Sequence, residues 1–327
     1  MNDLRLSFAC QDYDHTRALF DGRIRIPGAE LTHVDLLPHD TFPRMFAGRA
    51  FETCEMALTL YLSALDNGND SLVAIPAFPA RSFRHSAIFV RTEGSVRKPE
   101  DLVGKRIGEL HFYGSGPGVW ARGILKDEYG VPSDSCRYAL GGISRPSPPT
   151  DWLPAPAPST VEIEHIGNRT LDDMLERGEI DAIFASLAPA GLRKHPPTIR
   201  RLFENYEQIE RGWYAKTRIF PILHVVVIRR DVYEQNKWLA RSLYEGFLKA
   251  KDLALERYRP PSGGMTVPWF APYVQGVASL MGDDWWPYGI TANRLVLETL
   301  ARYHHEQGLS RREIAVDEMF APETLTD

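Results

Sequence analysis

Arg81, Arg84 and His85 fall within five residues of one another in the stretch PAFPARSFRHSAIFVR, directly ahead of an apolar run that reads as a strand. Guanidinium groups take carboxylates through paired hydrogen bonds, and an imidazole can give or accept a proton near neutral pH. No acidic residue stands beside them in sequence, so a bound anion is a natural partner. A second imidazole, His224, lies within FPILHVVVIRRD, the most β-branched run of the chain. It is either a proton-transfer group or a buried neutral histidine bonded to backbone. Glu55 interrupts the apolar run FETCEMAL. A carboxylate there needs a partner or ligand to offset its desolvation, unless it ends a strand and faces water.

A fourth candidate is the turn in GKRIGELHFYGSGPGVWARGILKDEYGV, residues 104–131. Residues 105–110 read as a strand and the run from Val119 as a helix, with Gly114, Gly116 and Gly118 between them. Glycines and a helix N-terminus bring bare N–H groups and positive dipole toward one point, which suits an anion. His111, Tyr113, Ser115 and Gly116 are the candidate ligand contacts. The spacing G-x-G-x-G is neither a dinucleotide fingerprint nor a P-loop, and the turn is equally open to a purely structural reading. Ser186, at the end of an apolar strand over 181–185, is a further candidate contact.

These groups need a scaffold, and 327 residues are enough for two domains. Hydrophobic residues at 43% and charged residues at 25% describe a globular protein rather than a disordered or fibrous one. The formal charge of −5 and the absence of any Lys/Arg run longer than two exclude an electrostatic footprint for nucleic acid. Cys10, Cys54 and Cys136 are widely spaced and read as buried thiols of a reducing compartment. MNDLRLSFACQDYD lacks the basic and apolar regions of a secretory leader, and no apolar run approaches about 18 residues, so the expectation is a cytoplasmic protein without a membrane span. H-E-x-x-H, paired cysteines, D-x-D-x-D-G and G-x-S-x-G are all missing; no metal and no serine nucleophile are expected.

Strands are expected near residues 4–8, 30–36, 51–58, 72–75 and 86–90, with Asp40 capping a helix and Gln11 to His15 forming a polar turn. A fresh β/α series begins beyond Gly94. Six prolines crowd residues 141–160, which predicts an extended arm or loop. Strand alternation returns at 161–166, Thr170 caps a helix ending near Gly178, and two long helices follow, one capped by Asn236 and one over 291–307. Between them lies an aromatic stretch with Trp269, Phe270, Trp285, Trp286 and Tyr288. His304 and His305 sit at a helix C-terminus, where cations are favoured, and read as structural. Two β/α series joined by apolar strands near 86–90 and 223–228 predict an α/β protein of two lobes, one discontinuous (1–90 and 224–327) and one inserted (91–223). The chain crosses between lobes twice, with a ligand cleft between them.

The runs FETCEMAL with Tyr61, IPAFPARSFRHSAIFVR, GVWARGILKDEYGV, FPILHVVVIRRDVYE and WWPYGITANR together resemble the 4,5-dihydroxyphthalate decarboxylase family, over nearly the whole chain. One departure lies in the glycine turn, where Ser115 and Gly116 follow Tyr113-Gly114. The resemblance implies a two-lobed fold like the type II periplasmic binding proteins, a homo-oligomer, and loss of carbon dioxide from a hydroxylated aromatic diacid. That chemistry needs no organic cofactor: a phenol feeds electrons to the ipso carbon, a positioned acid protonates it, and cations and N–H donors hold the dianion. On this reading His85 and His224 are the proton shuttles and Glu55 holds a phenol or orients a histidine. Arg81, Arg84 and the glycine turn bind the carboxylates. The alternatives are a binding protein that closes on an organic anion without chemistry, and an enzyme of the same fold acting on a different hydroxylated acid.

Overall fold

The structure is a computed structural model and describes residues 3–147, 149, 152, 158–259 and 265–326. Its strands are β1 (Leu4–Cys10), β2 (Ala29–Asp35), β3 (Thr53–Ala57), β4 (Leu72–Ile75), β5 (Ile88–Arg91), β6 (Arg106–Leu110), β7 (Arg137–Gly142), β8 (Glu162–Thr170), β9 (Ala182–Phe184), β10 (Ile199–Arg201) and β11 (His224–Arg229). They form two sheets, ordered β2-β1-β3-β11-β4 and β10-β5-β9-β6-β7-β8. In the first sheet β1 runs parallel to β2 and β3, while β11 enters antiparallel between β3 and β4. Val225 to Ile228 are fully buried there, as their β-branched run predicts.

The first crossing lies earlier than expected. β5 belongs to the second sheet, so the first passage between lobes is the segment 76–87 rather than 86–90, and the second ends at Leu223, where β11 begins. The passages pair with each other. Arg81 bridges Ile222 in antiparallel fashion, and the N–H groups of Leu223 and His224 donate to the Ala80 carbonyl at 2.8 and 3.2 Å. Sequence could not show this, because Pro76, Pro79 and Pro221 break the strand signal on both sides.

A second junction lies behind the hinge. The helix Gly116–Tyr129 of the second lobe packs on the C-terminal helix Arg294–Glu306. A side chain on Gly123 would overlap the Tyr303 ring, so that glycine is there for close helix approach and not for a ligand. Arg122, wholly buried, contacts Glu109 and donates to Gln307 Oε1 (2.7 Å) and the Tyr113 carbonyl (2.5 Å). Gln307 in turn donates to the Val119 carbonyl. The C-terminal helix also bonds the first lobe through His304 Nε2 and Ser63 Oγ (3.0 Å), and the tail pairs with β4 at Phe320.

Local chemistry sets some of the boundaries. Thr170 caps its helix by accepting from the Asp173 N–H. Asp40 does not cap; the helix Pro38–Gly48 starts with proline in its first turn. Asn236 ends one helix and the long helix Trp238–Tyr258 follows. Within the expected proline-rich arm, Pro148, Pro154 and Pro156 lie outside the described residues. At its described points the segment touches its own chain: Ser147 Oγ meets His111 Nδ1, Trp152 packs against Phe46 and Phe112, and Pro158 lies beside Gly308.

Candidate active site

Parallel strands carry their following loops to one edge, and ligand sites of open α/β sheets form at that edge. Here the loop after β1 passes over the end of β3, bringing Gln11 and Tyr13 onto Glu55. The carboxylate is fully buried and meets three donors: the Gln11 N–H (2.7 Å), the Tyr13 hydroxyl (2.8 Å) and His224 Nδ1 (2.9 Å). Burial, then the adjacent Glu55 charge, pushes the Tyr13 phenol far up, so it stays protonated and donates. Because a carboxylate only accepts, His224 Nδ1 carries its proton toward Glu55, which leaves Nε2 as the other ring nitrogen. His224 is only partly buried, Nε2 has no hydrogen bond among the described residues, and the Phe42 ring stands edge-on at 5.2 Å. Glu55 thus holds the imidazole together with the loop after β1.

The glycine turn joins this centre through its backbone. Gly116 opens the 14-residue helix and lies in van der Waals range of Leu223, the residue before His224; the Ser115 side chain makes no capping bond. The start of that helix thus lies beside the backbone of the second crossing, one residue before His224. Tyr113 is not part of the cleft: it is buried, with its ring under the Arg122 guanidinium at 3.7 Å and edge-on to Tyr138. His111 holds a positive φ of 63° at the end of β6, bonds Ser147 Oγ, and faces His39 of the first lobe at 6.3 Å; burial, then that neighbour, lowers its pKa.

Arg84 and Ser186 do come together. Arg84 donates to Ser186 Oγ (3.1 Å), Ser82 Oγ (3.1 Å) and the Phe83 carbonyl (2.8 Å), and among the described residues no carboxylate pairs with it. Burial draws its pKa down to about 10, with Glu210 opposing. Arg81 is used differently: it donates to the carbonyls of Phe220 and Pro287 and to Asn293, between the rings of Phe78 and Phe220, so it fastens the hinge. His85 lies apart from His224. Its ring is enclosed by Phe203 (5.1 Å), Trp213 (5.8 Å) and Tyr129 (6.1 Å), neither nitrogen has a partner among the described residues, and burial lowers its pKa to about 4. A histidine held neutral among aromatic rings is a poor proton shuttle at neutral pH.

Sequence reasoning missed the residues that lead from the dyad to the hinge. Ring centroids step from Tyr13 to His15 (5.5 Å), Trp286 (5.1 Å), Phe220 (5.4 Å) and Phe83 (4.7 Å). These rings form a continuous aromatic wall between the loop after β1 and the hinge. The available signal was the polar turn after β1 together with the aromatic stretch near Trp286, unlinked in sequence.

No family model matches the chain. The 4,5-dihydroxyphthalate decarboxylase of Comamonas testosteroni is 32% identical over 327 residues, covering 99% of this chain and 98% of that protein. The enzyme of the same name from Pseudomonas putida is 30% identical over 215 residues, covering 65% of this chain and 83% of that one. Among solved structures, the alkanesulfonate-binding protein SsuA from Xanthomonas axonopodis pv. citri, bound to MOPS, superposes with a TM-score of 0.54 at 14% identity, covering 98% and 99% of the two chains. A mutant of the desulfurization enzyme DSZB, in complex with biphenyl-2-sulfinic acid, gives 0.53 at 14%, covering 99% and 98%. The fold is that of the type II periplasmic binding proteins.

Proposed function

The chain belongs to the 4,5-dihydroxyphthalate decarboxylase family, a group of carboxy-lyases, and from that premise we propose that it removes one carboxylate from 4,5-dihydroxyphthalate or a close relative, giving a catechol acid such as protocatechuate. The observation that carries this reading is the Glu55–His224 pair, an imidazole with one nitrogen fixed by a buried carboxylate and the other open beside an aromatic wall. Such a group can deliver a proton to a ring carbon. The substrate's own phenol supplies the electron density, so the proposal needs neither an organic cofactor nor a metal. Arg84 with Ser186 suits one carboxylate, because a buried guanidinium bonded only to neutral oxygens gains most from an anion. The helix start at Ser115 and Gly116 suits the other. His111, at the lobe junction, is a candidate for the rim.

Incubating the purified chain with the diacid tests this reading. We expect stoichiometric carbon dioxide and a catechol-type ultraviolet spectrum; recovery of unchanged diacid, bound or free, from micromolar protein with and without added divalent metal rejects it and leaves the binding-protein alternative. We also infer a cytoplasmic homo-oligomer. All three cysteines are free thiols, which suits a reducing compartment. The uncharged helix Phe270–Met281 buries only Val274 and is preceded by Trp269, 83% exposed, which offers surface to a second copy. No helix among the described residues is long and apolar enough to cross a membrane.

A further inference from the structure

Removing a carboxylate through a phenol requires proton traffic at two places: the hydroxyl that feeds the ring and the carbon that loses carbon dioxide. These lie across the ring from one another, so one imidazole cannot serve both at once. His224 accounts for one, and His85 is walled into the second lobe, which leaves the second group unassigned.

The loop after β1 carries a second imidazole–carboxylate pair immediately beyond Tyr13. His15 Nδ1 lies 2.9 Å from Asp14 Oδ1, and the Tyr258 hydroxyl donates to the other oxygen of that carboxylate. The contact with His15, then that with Tyr258, holds the Asp14 carboxyl well below its usual range against the cost of burial, so it remains an acceptor. His15 Nδ1 therefore donates, and Nε2 is left over, as in His224. His15 is 6% exposed, and its Nε2 is a buried polar atom without a partner. A fold that needed only an aromatic filler there would do better with phenylalanine, since a buried unpaired nitrogen is a cost. The ring is pressed between Tyr13, Trp286 and Tyr288, at 5.5, 5.1 and 6.3 Å, within the aromatic wall itself. Tyr13 links the two pairs: its hydroxyl rests on Glu55 and its ring on His15.

We propose that His15, oriented by Asp14, is the second proton-transfer group of this site and works across the substrate ring from His224. The inference rests on the decarboxylation reading above. His15 Nε2 takes the proton of the phenol para to the departing carboxylate. The freed electron pair moves into the ring, and the ipso carbon takes a proton from the His224 imidazolium. The bond to the carboxylate then breaks, its electrons return through the ring to the phenolic oxygen, and carbon dioxide leaves. His15 returns its proton to that oxygen, and His224 is reprotonated from solvent. One proton is consumed and nothing is oxidised. The titratable and charged groups around His15 are Asp14 and Tyr13 on its own loop, Tyr258 on the helix Trp238–Tyr258, Tyr288 on the C-terminal segment, and Arg17 acting on Asp14.

Steady-state kinetics of the full chain on 4,5-dihydroxyphthalate provide the test. If the wild type shows no turnover, the decarboxylation reading itself fails. Where the wild type turns over, His15→Gln is expected to lower kcat by about 10²–10³-fold with KM within about threefold, and to remove one limb of the pH–kcat profile. Asp14→Asn is expected to lower kcat about tenfold, by analogy with loss of a group that orients a histidine. Both variants should still bind protocatechuate, read as quenching of tryptophan fluorescence. A His15→Gln kcat within about threefold of wild type, a loss confined to KM, or a profile with both limbs intact would overturn the assignment. Should His15→Gln not fold, Tyr258→Phe disturbs only the far oxygen of Asp14; a displaced limb supports the proposal and an unchanged profile rejects it.

Discussion

The junction between the lobes has two sides, and both are rich in charge. On the back side each of three cations meets an anion: Arg122 with Glu109 in the interior, and Arg302 with Asp127 and Lys126 with Glu306 at partly exposed positions. On the cleft side Arg84 has only hydroxyls and a carbonyl, and two imidazoles each have one nitrogen fixed by a carboxylate and one unbonded. Arg122 and Glu109 are as deeply buried as Arg84, so burial does not mark the site. What differs is whether the bonding capacity of the charged groups is used up inside the chain. The back side also ties the helix Gly116–Tyr129 to the C-terminal helix and, through Trp120 Nε1 and the Ile222 carbonyl (2.8 Å), to the second crossing. That helix start is thereby held against the second crossing at Ile222 and Leu223.

The sharpest way to break the comparison is to exchange one residue on each side. His224→Gln should cost about 10³-fold in kcat while the melting temperature stays within about 2 °C, because its lost bond lies at the cleft. A kcat within tenfold of wild type would remove the imidazole from the chemistry. Arg122→Met should do the reverse: it strands Glu109 in a dry interior and should cost about 3 kcal/mol in urea unfolding, with far less effect on the kcat of the folded fraction. The double variant with Glu109→Gln should recover part of that loss. A single-variant cost below about 1 kcal/mol would mean that the back side is not held by its pairs.

How far this division was legible in the sequence depended on what each residue's partners were. The β-branched run around Val226 announced a buried strand from local chemistry alone, whereas Glu55 inside an apolar run was equally open to a partnered carboxylate and a strand end facing water, and only the folded chain shows its three donors. Arg81 and Arg84, three residues apart and alike in type, could not be told apart. Their roles depend on Pro287 and Asn293 in one case and Ser186 in the other, all distant in sequence. His85 was misread for the same reason: Phe203 and Trp213, which wall it in, are more than a hundred residues away. Gln11, Tyr13 and His15 were visible only as a polar turn, because what makes them a site is the parallel pairing of β1 with β3.

The histidines offer a last and gentler probe of the same division. His85 and His304 are both almost fully buried, and burial lowers each to about 4 from an ordinary value of 6.5. Each folded ring resists a proton that the unfolded chain accepts freely, so below about pH 6.5 the unfolded state binds more protons than the folded one. Stability is therefore fully present above pH 6.5, declines as the pH falls, and stops declining on their account below about 4. At pH 5 each ring should have cost on the order of 1–2 kcal/mol relative to pH 8. His85→Phe keeps a ring among Phe203, Trp213 and Tyr129 and removes the group that must stay neutral. Urea unfolding of this variant should show stability within about 1 kcal/mol of wild type at pH 8 and roughly half the wild-type loss at pH 5, with kcat unchanged. A variant that keeps the full acid sensitivity, or one that loses turnover at pH 8, would put His85 back on the cleft side, where its two unpartnered nitrogens would then have to be counted.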